Sequence, residues 1–262
     1  MKRLRAIALG AGLVVVVGLV LAHALARPAP TTAYVTGLPD RRPLVIGHAD
    51  DSGLGLLPGN TLAHLERMAE LGVDVLDVDL HLSADGQVVL IHDDTVDRTT
   101  NGSGRVSDMT LAELQALDAG YHWTTDGGAT YPFRGQGYQI ATLADALDRF
   151  PDWPMVMEIK QETPSMAQAL CQVLRDHGAT GRVIVPSSRE QALADFRAAC
   201  PEVATAAGTN EVTWSVGLSM VGLGGVISPA YAAAQVPLSS SGIPVVTPGW
   251  VAAMHARGVH VD

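Results

Sequence analysis

The chain has 262 residues, 47% of them hydrophobic and 17% charged, which suits one large globular domain better than two small ones. Its net charge of −10 argues against a nucleic-acid backbone as partner. A small phosphate-bearing molecule stays compatible with that charge, because a bound divalent cation reverses the local field.

Lys2, Arg3 and Arg5 precede a low-charge run from Ala6 to Ala26, interrupted only by His23. Residues 1–26 read either as a secretory signal, with Ala24-Leu25-Ala26 as cleavage site, or as an uncleaved anchor long enough to span a bilayer. Both readings place the remainder outside the cytoplasm: periplasmic, secreted, or associated with the membrane and facing outward. Residues 27–43 (RPAPTTAYVTGLPDRRP) are Pro-rich and polar and read as a linker to a domain over 44–262.

Strand-like and helix-like segments then alternate. Leu44–His48 is a short β-branched run. Thr61–Leu71 has Leu62, Leu65, Met68 and Leu71 every three residues, with Asn60 as its expected cap. Val75–Leu82 and Gln87–His92 are strands joined by the turn Ala84-Asp85-Gly86. Helices are predicted over Thr110–Leu117, Thr142–Phe150, Ser165–His177, Glu190–Cys200 and Val251–Arg257. Further strands are predicted over Met155–Lys160, Val183–Ser187, Val203–Ala207, Gly224–Ile227, Ile243–Thr247 and Val259–Val261. Alternating β and α units imply a parallel sheet, wound open or closed as a barrel, and the pattern alone does not choose. Cys171 and Cys200 fall in two successive predicted helices; an oxidising compartment permits a disulfide between them, but their helical context favours two buried thiols.

Asp77 and Asp79 stand two apart in one strand, so both carboxylates project from the same face. They are either hard oxygen ligands for Mg²⁺ or Ca²⁺, or part of a solvated edge strand. Asp74 falls on the opposite face and reads as a solvated residue near the strand's start. His48 and His92 each end a strand, where imidazoles titrating near neutral pH can serve as acid and base. Glu158 and Lys160 repeat the spacing of two in MVMEIK. They could complete a metal site and bind a phosphate oxygen, or form a local salt bridge.

Together these stretches resemble the glycerophosphodiester phosphodiesterase family. That family carries His-Arg-Gly, Pro-Glu-Asn-Thr, Glu-x-Asp-Val, a Thr-x-Asp-Gly turn, a His-Asp pair and a Glu-Ile-Lys strand. Here the corresponding stretches read GHADDSGLGLLPGNT, DVDLHLSADGQVVLIHDDTVDRTTNGSG and MEIK, and the likeness continues through VIVPSS, AACPEVATAAG and VTPGWVAAMHARGVHV. The resemblance implies an α/β fold of the TIM (β/α) barrel type with the site at the carboxyl mouth. It implies a divalent cation, Mg or Ca, held by Asp77, Asp79 and Glu158, with His48 and His92 as the catalytic pair and Lys160 as a substrate contact. The implied reaction hydrolyses a glycerophosphodiester to an alcohol and glycerol 3-phosphate. A phospholipase D-like relative acting on lysophospholipid or sphingomyelin, and an inactive truncated product, are the alternative readings.

The chain departs from the family pattern at four places. Asp77 replaces Glu, Ala49 replaces the Arg after the histidine, and Gly59 replaces the Glu of Pro-Glu-Asn-Thr. It stops at Val261-Asp262, where family members continue with Trp-Thr-x-Asn, so the barrel is expected to be truncated before its last strand.

Overall fold

A computed structural model describes residues 17–39, 43–48 and 55–261 of the chain. The basic start of the chain, the substitution at Ala49 and the terminal Asp262 lie outside the described residues. Residues 17–25 are helical, and among the described residues no helix is long and apolar enough to cross a membrane. Most of the run expected to be a signal or anchor lies outside them.

The chain divides into two compact units, residues 32–208 and residues 1–31 with 209–262. In the larger unit, a short helix α1 (Ala33–Gly37) occupies part of the stretch read as linker, its start capped by Thr32 and its Tyr34 buried. There follow β1 (Ile46–Gly47), α2 (Leu62–Glu70), β2 (Val75–Leu82), β3 (Val88–Leu90), α3 (Leu111–Gln115) and α4 (Leu143–Arg149). The unit closes with β4 (Met155–Ile159), α5 (Ala167–Asp176), β5 (Val183–Val185), α6 (Glu190–Ala199) and β6 (Ala204–Thr205).

One sheet carries the parallel strand order β1-β2-β4-β5-β6, with β3 hydrogen-bonded antiparallel to the far end of β2. Each connection between parallel neighbours runs through a helix, as parallel pairing requires. Strand parity then sorts the side chains. Leu76, Val78 and Leu80 of β2, Met155, Met157 and Ile159 of β4, and Val183 and Val185 of β5 point to one face. There they form a continuous core with Leu65, Leu147, Leu170 and Phe196 of the covering helices. The opposite face carries Asp77, Asp79, Glu158 and Ile184.

Local chemistry explains where the helices start. Thr110 with Glu113 and Thr142 with Asp145 form reciprocal capping boxes at α3 and α4. At α2 the cap is Thr61, whose Oγ1 accepts from the His64 amide at 3.2 Å, and not Asn60 as the sequence suggested. Asn60 adopts the left-handed region (φ 55°), which asparagine tolerates better than most residues.

Three other expectations are corrected. Cys171 and Cys200 are not two thiols but one disulfide: α5 and the C-terminal end of α6 bring their Cα atoms to 5.5 Å, within bonding reach. Asp74 is buried rather than solvated, and its Oδ2 accepts from the Val45 amide at 2.8 Å, tying down the chain entering β1. Gly224–Ile227 is not a strand, since Gly224–Val226 form a 3-10 turn; two glycines supply no side chains to pack on a pleated surface.

The smaller unit holds α7 (Thr209–Met220), β7 (Ala233–Ala234), the hairpin pair β8 (Ser239–Ser240) and β9 (Ile243–Pro244), α8 (Pro248–Ala256) and β10 (His260–Val261). Helix α7 had no counterpart in the sequence reading, because its apolar residues do not gather on one face; Trp214 and Met220 are exposed while Ser215 and Val216 are buried. Ser215 accepts a hydrogen bond from the buried Trp250 indole at 2.9 Å, which fixes α7 against α8. β7 pairs in parallel with β10.

Candidate active site

The site residues are set by register. Asp79 of β2 lies beside Glu158 of β4, and Asp77 lies beside Val156, so three carboxylates share the face opposite the core. Lys160 follows β4 directly. Its ammonium donates to Glu158 Oε2 at 2.8 Å and stands 3.1 Å from Asp79 Oδ1. The local salt bridge, one of the two sequence readings of the Glu-x-Lys pair, is therefore present, and it lies inside the carboxylate cluster.

Asp79 is almost fully enclosed and depends on Asn60. The Asn60 amide donates to Asp79 Oδ2 at 2.9 Å, and the Asp79 backbone N–H donates back to Asn60 Oδ1 at 2.9 Å. This two-way clamp is what the left-handed turn at Asn60 achieves, and nothing in the spacing of the sequence announces it.

Asp77 feels the opposite balance. Burial pushes its carboxyl well above the usual carboxylate range, and the neighbouring charges of Asp79 and Glu158 push it further, against the pull of Lys160. Burial would lower the Lys160 ammonium, but its hydrogen bond to Glu158 and the charge of Asp79 hold it above the ordinary lysine value.

His48 follows β1 and places Nε2 3.8 Å from Asp77 Oδ2, with 66% of its side chain exposed against 13% for the aspartate. His92 lies just past β3. That strand returns antiparallel to β2, as the turn Ala84-Asp85-Gly86 predicted, so His92 follows a hairpin strand paired with the carboxylate strand. The Ile91 amide donates to the Asp79 carbonyl at 3.0 Å, which puts the backbone before His92 alongside the carboxylate strand. The imidazole is then oriented by its neighbour: Nδ1 lies 2.7 Å from Asp93 Oδ1. Asp93 is in turn gripped by Arg98, with Nε on Oδ2 at 2.5 Å and Nη2 on Oδ1 at 2.9 Å. The Arg98 guanidinium keeps the Asp93 carboxyl below its usual range, so it stays charged and accepts a hydrogen bond from His92 Nδ1–H.

Two more histidines escaped the sequence reading. His81 shares the face of Asp77 and Asp79, is buried, and its Nε2 lies 3.2 Å from the His92 carbonyl. Burial lowers its pKa, so it stays neutral and donates that bond. His64 of α2 is also buried; burial first, and then the charge of His48, lowers its pKa, and its Nδ1 lacks a partner among the described residues.

Residues 53–262 match the family described as Glycerophosphoryl diester phosphodiesterase family. The chain belongs to that family. It is 34% identical over 165 residues to a glycerophosphodiester phosphodiesterase of Caldanaerobacter subterraneus, the match covering 61% of this chain and 64% of that protein. It is 31% identical over 180 residues to one of Bacillus subtilis, covering 64% of this chain and 59% of the relative. The chain thus spans a little under two thirds of the length of these curated relatives. The fold also matches the glycerophosphoryl diester phosphodiesterase domain of an uncharacterized Mycobacterium tuberculosis protein, with a TM-score of 0.74 at 23% identity, over 84% of this chain and 87% of that one. An Oleispira antarctica phosphodiesterase, solved in complex with the product sn-glycerol-3-phosphate, matches with a TM-score of 0.67 at 27% identity, over 88% and 85% of the two chains. The α/β fold with its parallel sheet is therefore that of the family's known structures.

Members of the family are typically metal-dependent, and the donor set here fits a hard divalent cation. All three acids offer oxygen, and the raised Asp77 carboxyl registers burial first and then repulsion from Asp79 and Glu158, which a cation would relieve. The described residues hold one cluster with ligand atoms within 4.8 Å of one another, Cys171, Cys200 and Glu202, and its sulfurs are already bonded to each other. The carboxylates of Asp77, Asp79 and Glu158 are not drawn in to that spacing; Lys160 bridges two of them.

Proposed function

We propose that this chain hydrolyses glycerophosphodiesters to an alcohol and glycerol 3-phosphate, with a divalent cation held by Asp77, Asp79 and Glu158. The observation that carries this reading is the convergence of those carboxylates with Lys160 on one face of the sheet, beside His48. The names of the relatives, and the product bound in the Oleispira antarctica structure, support it.

A bound divalent cation would supply neutralisation of the charge that grows on the phosphoryl oxygens. The histidines move the protons. His92 donates a hydrogen bond from Nδ1–H to Asp93 and presents Nε2, so it takes the proton of the attacking water, and Asp93 stabilises the imidazolium that results. His48, whose Nε2 stands 3.8 Å from Asp77 Oδ2, returns a proton to the leaving alcohol oxygen. The phosphorus–oxygen bond to the alcohol breaks as the bond to water oxygen forms, and glycerol 3-phosphate remains. Lys160 contacts a phosphate oxygen from the edge of the carboxylate cluster.

We further propose that the protein works outside the cytoplasm. The basic start and apolar run of residues 1–26 support this, and so does the disulfide, a bond that persists in oxidising compartments.

The test is hydrolysis of glycerophosphocholine by the purified chain with Mg²⁺, with Ca²⁺ and with chelator, following sn-glycerol 3-phosphate. Turnover that requires metal supports the reading. Full turnover in chelator, or none with either metal, rejects it. Preference for lysophosphatidylcholine with release of a cyclic phosphate would assign the phospholipase D-like alternative.

A further inference from the structure

A cavity of about 220 Å³ opens beside Lys160, and its wall includes Asp94, Arg105, Glu162 and Arg189. A phosphodiester anion entering it needs a cation that is not already committed. Lys160 is engaged by Asp79 and Glu158, and Arg105 faces Asp94 at 3.6 Å. Arg98, on the same loop, is held by Asp93. Among the described residues no ion pair engages the Arg189 guanidinium, nor joins it to Glu162.

The backbone explains how Arg189 arrives there. β5 lies next to β4, and the Ile159 amide donates to the Pro186 carbonyl at 3.0 Å as β5 ends. The buried Ser187 hydroxyl then donates to the Ile159 carbonyl at 2.7 Å and accepts from the Arg189 amide at 3.0 Å. One serine thus ties the root of Arg189 to the residue before Lys160. Arginine suits the task, since its planar fork matches phosphate oxygens and it stays charged at any working pH.

We propose that Arg189 is a substrate-binding residue that grips the phosphate of the diester from the β5 side of this cavity. The assignment rests on the phosphodiesterase reading and adds an uncommitted cation to the contact from Lys160, whose charge is shared with Asp79 and Glu158.

Binding and turnover are measured separately. sn-Glycerol 3-phosphate is titrated calorimetrically, with Mg²⁺ or Ca²⁺ present, into the full chain and its Arg189→Ala, Arg189→Lys and Arg105→Ala variants. KM and kcat for glycerophosphocholine follow on the same samples, and melting curves verify that each variant is folded. Arg189→Ala should weaken phosphate-ester binding by about tenfold or more and raise KM more than it lowers kcat, since a charge-assisted pair is lost. The lysine variant should recover part of the loss, and Arg105→Ala should stay within about threefold of wild type. Folded Arg189→Ala protein binding within about twofold of wild type overturns the assignment, as does an equal loss in Arg105→Ala or a wild-type chain that does not bind the ester. A wild-type chain that binds the ester through Arg189 but never hydrolyses the diester sinks the hydrolase reading alone.

Discussion

Replacing Asn60 tests how the carboxylate cluster is held. Its side chain makes two bonds to Asp79, one to a buried carboxylate oxygen and one from a buried backbone N–H. Asn60→Gly removes both bonds while keeping the left-handed backbone (φ 55°) free of strain. A lost hydrogen bond to a charged group costs about 1.5–3 kcal/mol, and a stranded buried amide costs about 1–3 kcal/mol. Water entering the vacated space would return part of that, which leaves about 3 kcal/mol. For a chain of this size the melting temperature should fall by roughly 6–12 °C. Asn60→Ala should fall about 1–2 kcal/mol further, because alanine is strained where glycine is not. Asn60→Asp should be the worst in neutral solution, as it sets a second carboxylate against Asp79. Calorimetric melting of the purified variants, with and without Mg²⁺ or Ca²⁺, reads all three. A glycine variant that melts within about a degree of wild type would refute the clamp, since both bonds would then have no measurable worth.

The other predictions concern charge, catalysis and the disulfide. Because Asp77 holds its proton more tightly folded than unfolded, metal-free protein should lose stability as pH rises from the ordinary carboxylate range through the raised Asp77 pKa. Asp77→Asn should flatten that slope in melting curves taken in chelator, and metal binding to the wild type should strengthen with pH over the same window. His48→Ala and His92→Ala should each lower kcat by roughly 10²–10⁴-fold with circular dichroism unchanged, and a variant that unfolds instead would make that histidine structural. Reducing Cys171–Cys200, which closes a loop of sequence separation 29, should cost about 3–4 kcal/mol, visible as a lower melting temperature with dithiothreitol than without.

The residues with chemistry were legible in the sequence, because strand parity is local. Asp77 with Asp79 and Glu158 with Lys160 share a face whatever the rest of the chain does, since successive side chains in a strand alternate. The helices that cover the sheet were legible for a similar reason: their apolar residues recur on one face. Helix α7 lacked that recurrence and went unread.

What the tertiary structure alone decided depends on contacts between distant segments. The β2–β4 register set Asp79 beside Glu158, and a slip by one residue would have turned the Glu158 and Lys160 side chains to the core face. Packing of α5 against α6 turned two apparent thiols into a disulfide. Asn60 looked like a helix cap because asparagine favours caps, yet Thr61 takes that place and leaves the Asn60 amide to Asp79. Likewise no spacing rule ties Ser187 to Ile159 or points Arg189 toward Lys160. A side chain's residue type sets which bonds it can make, and only the folded backbone determines which partner stands within reach.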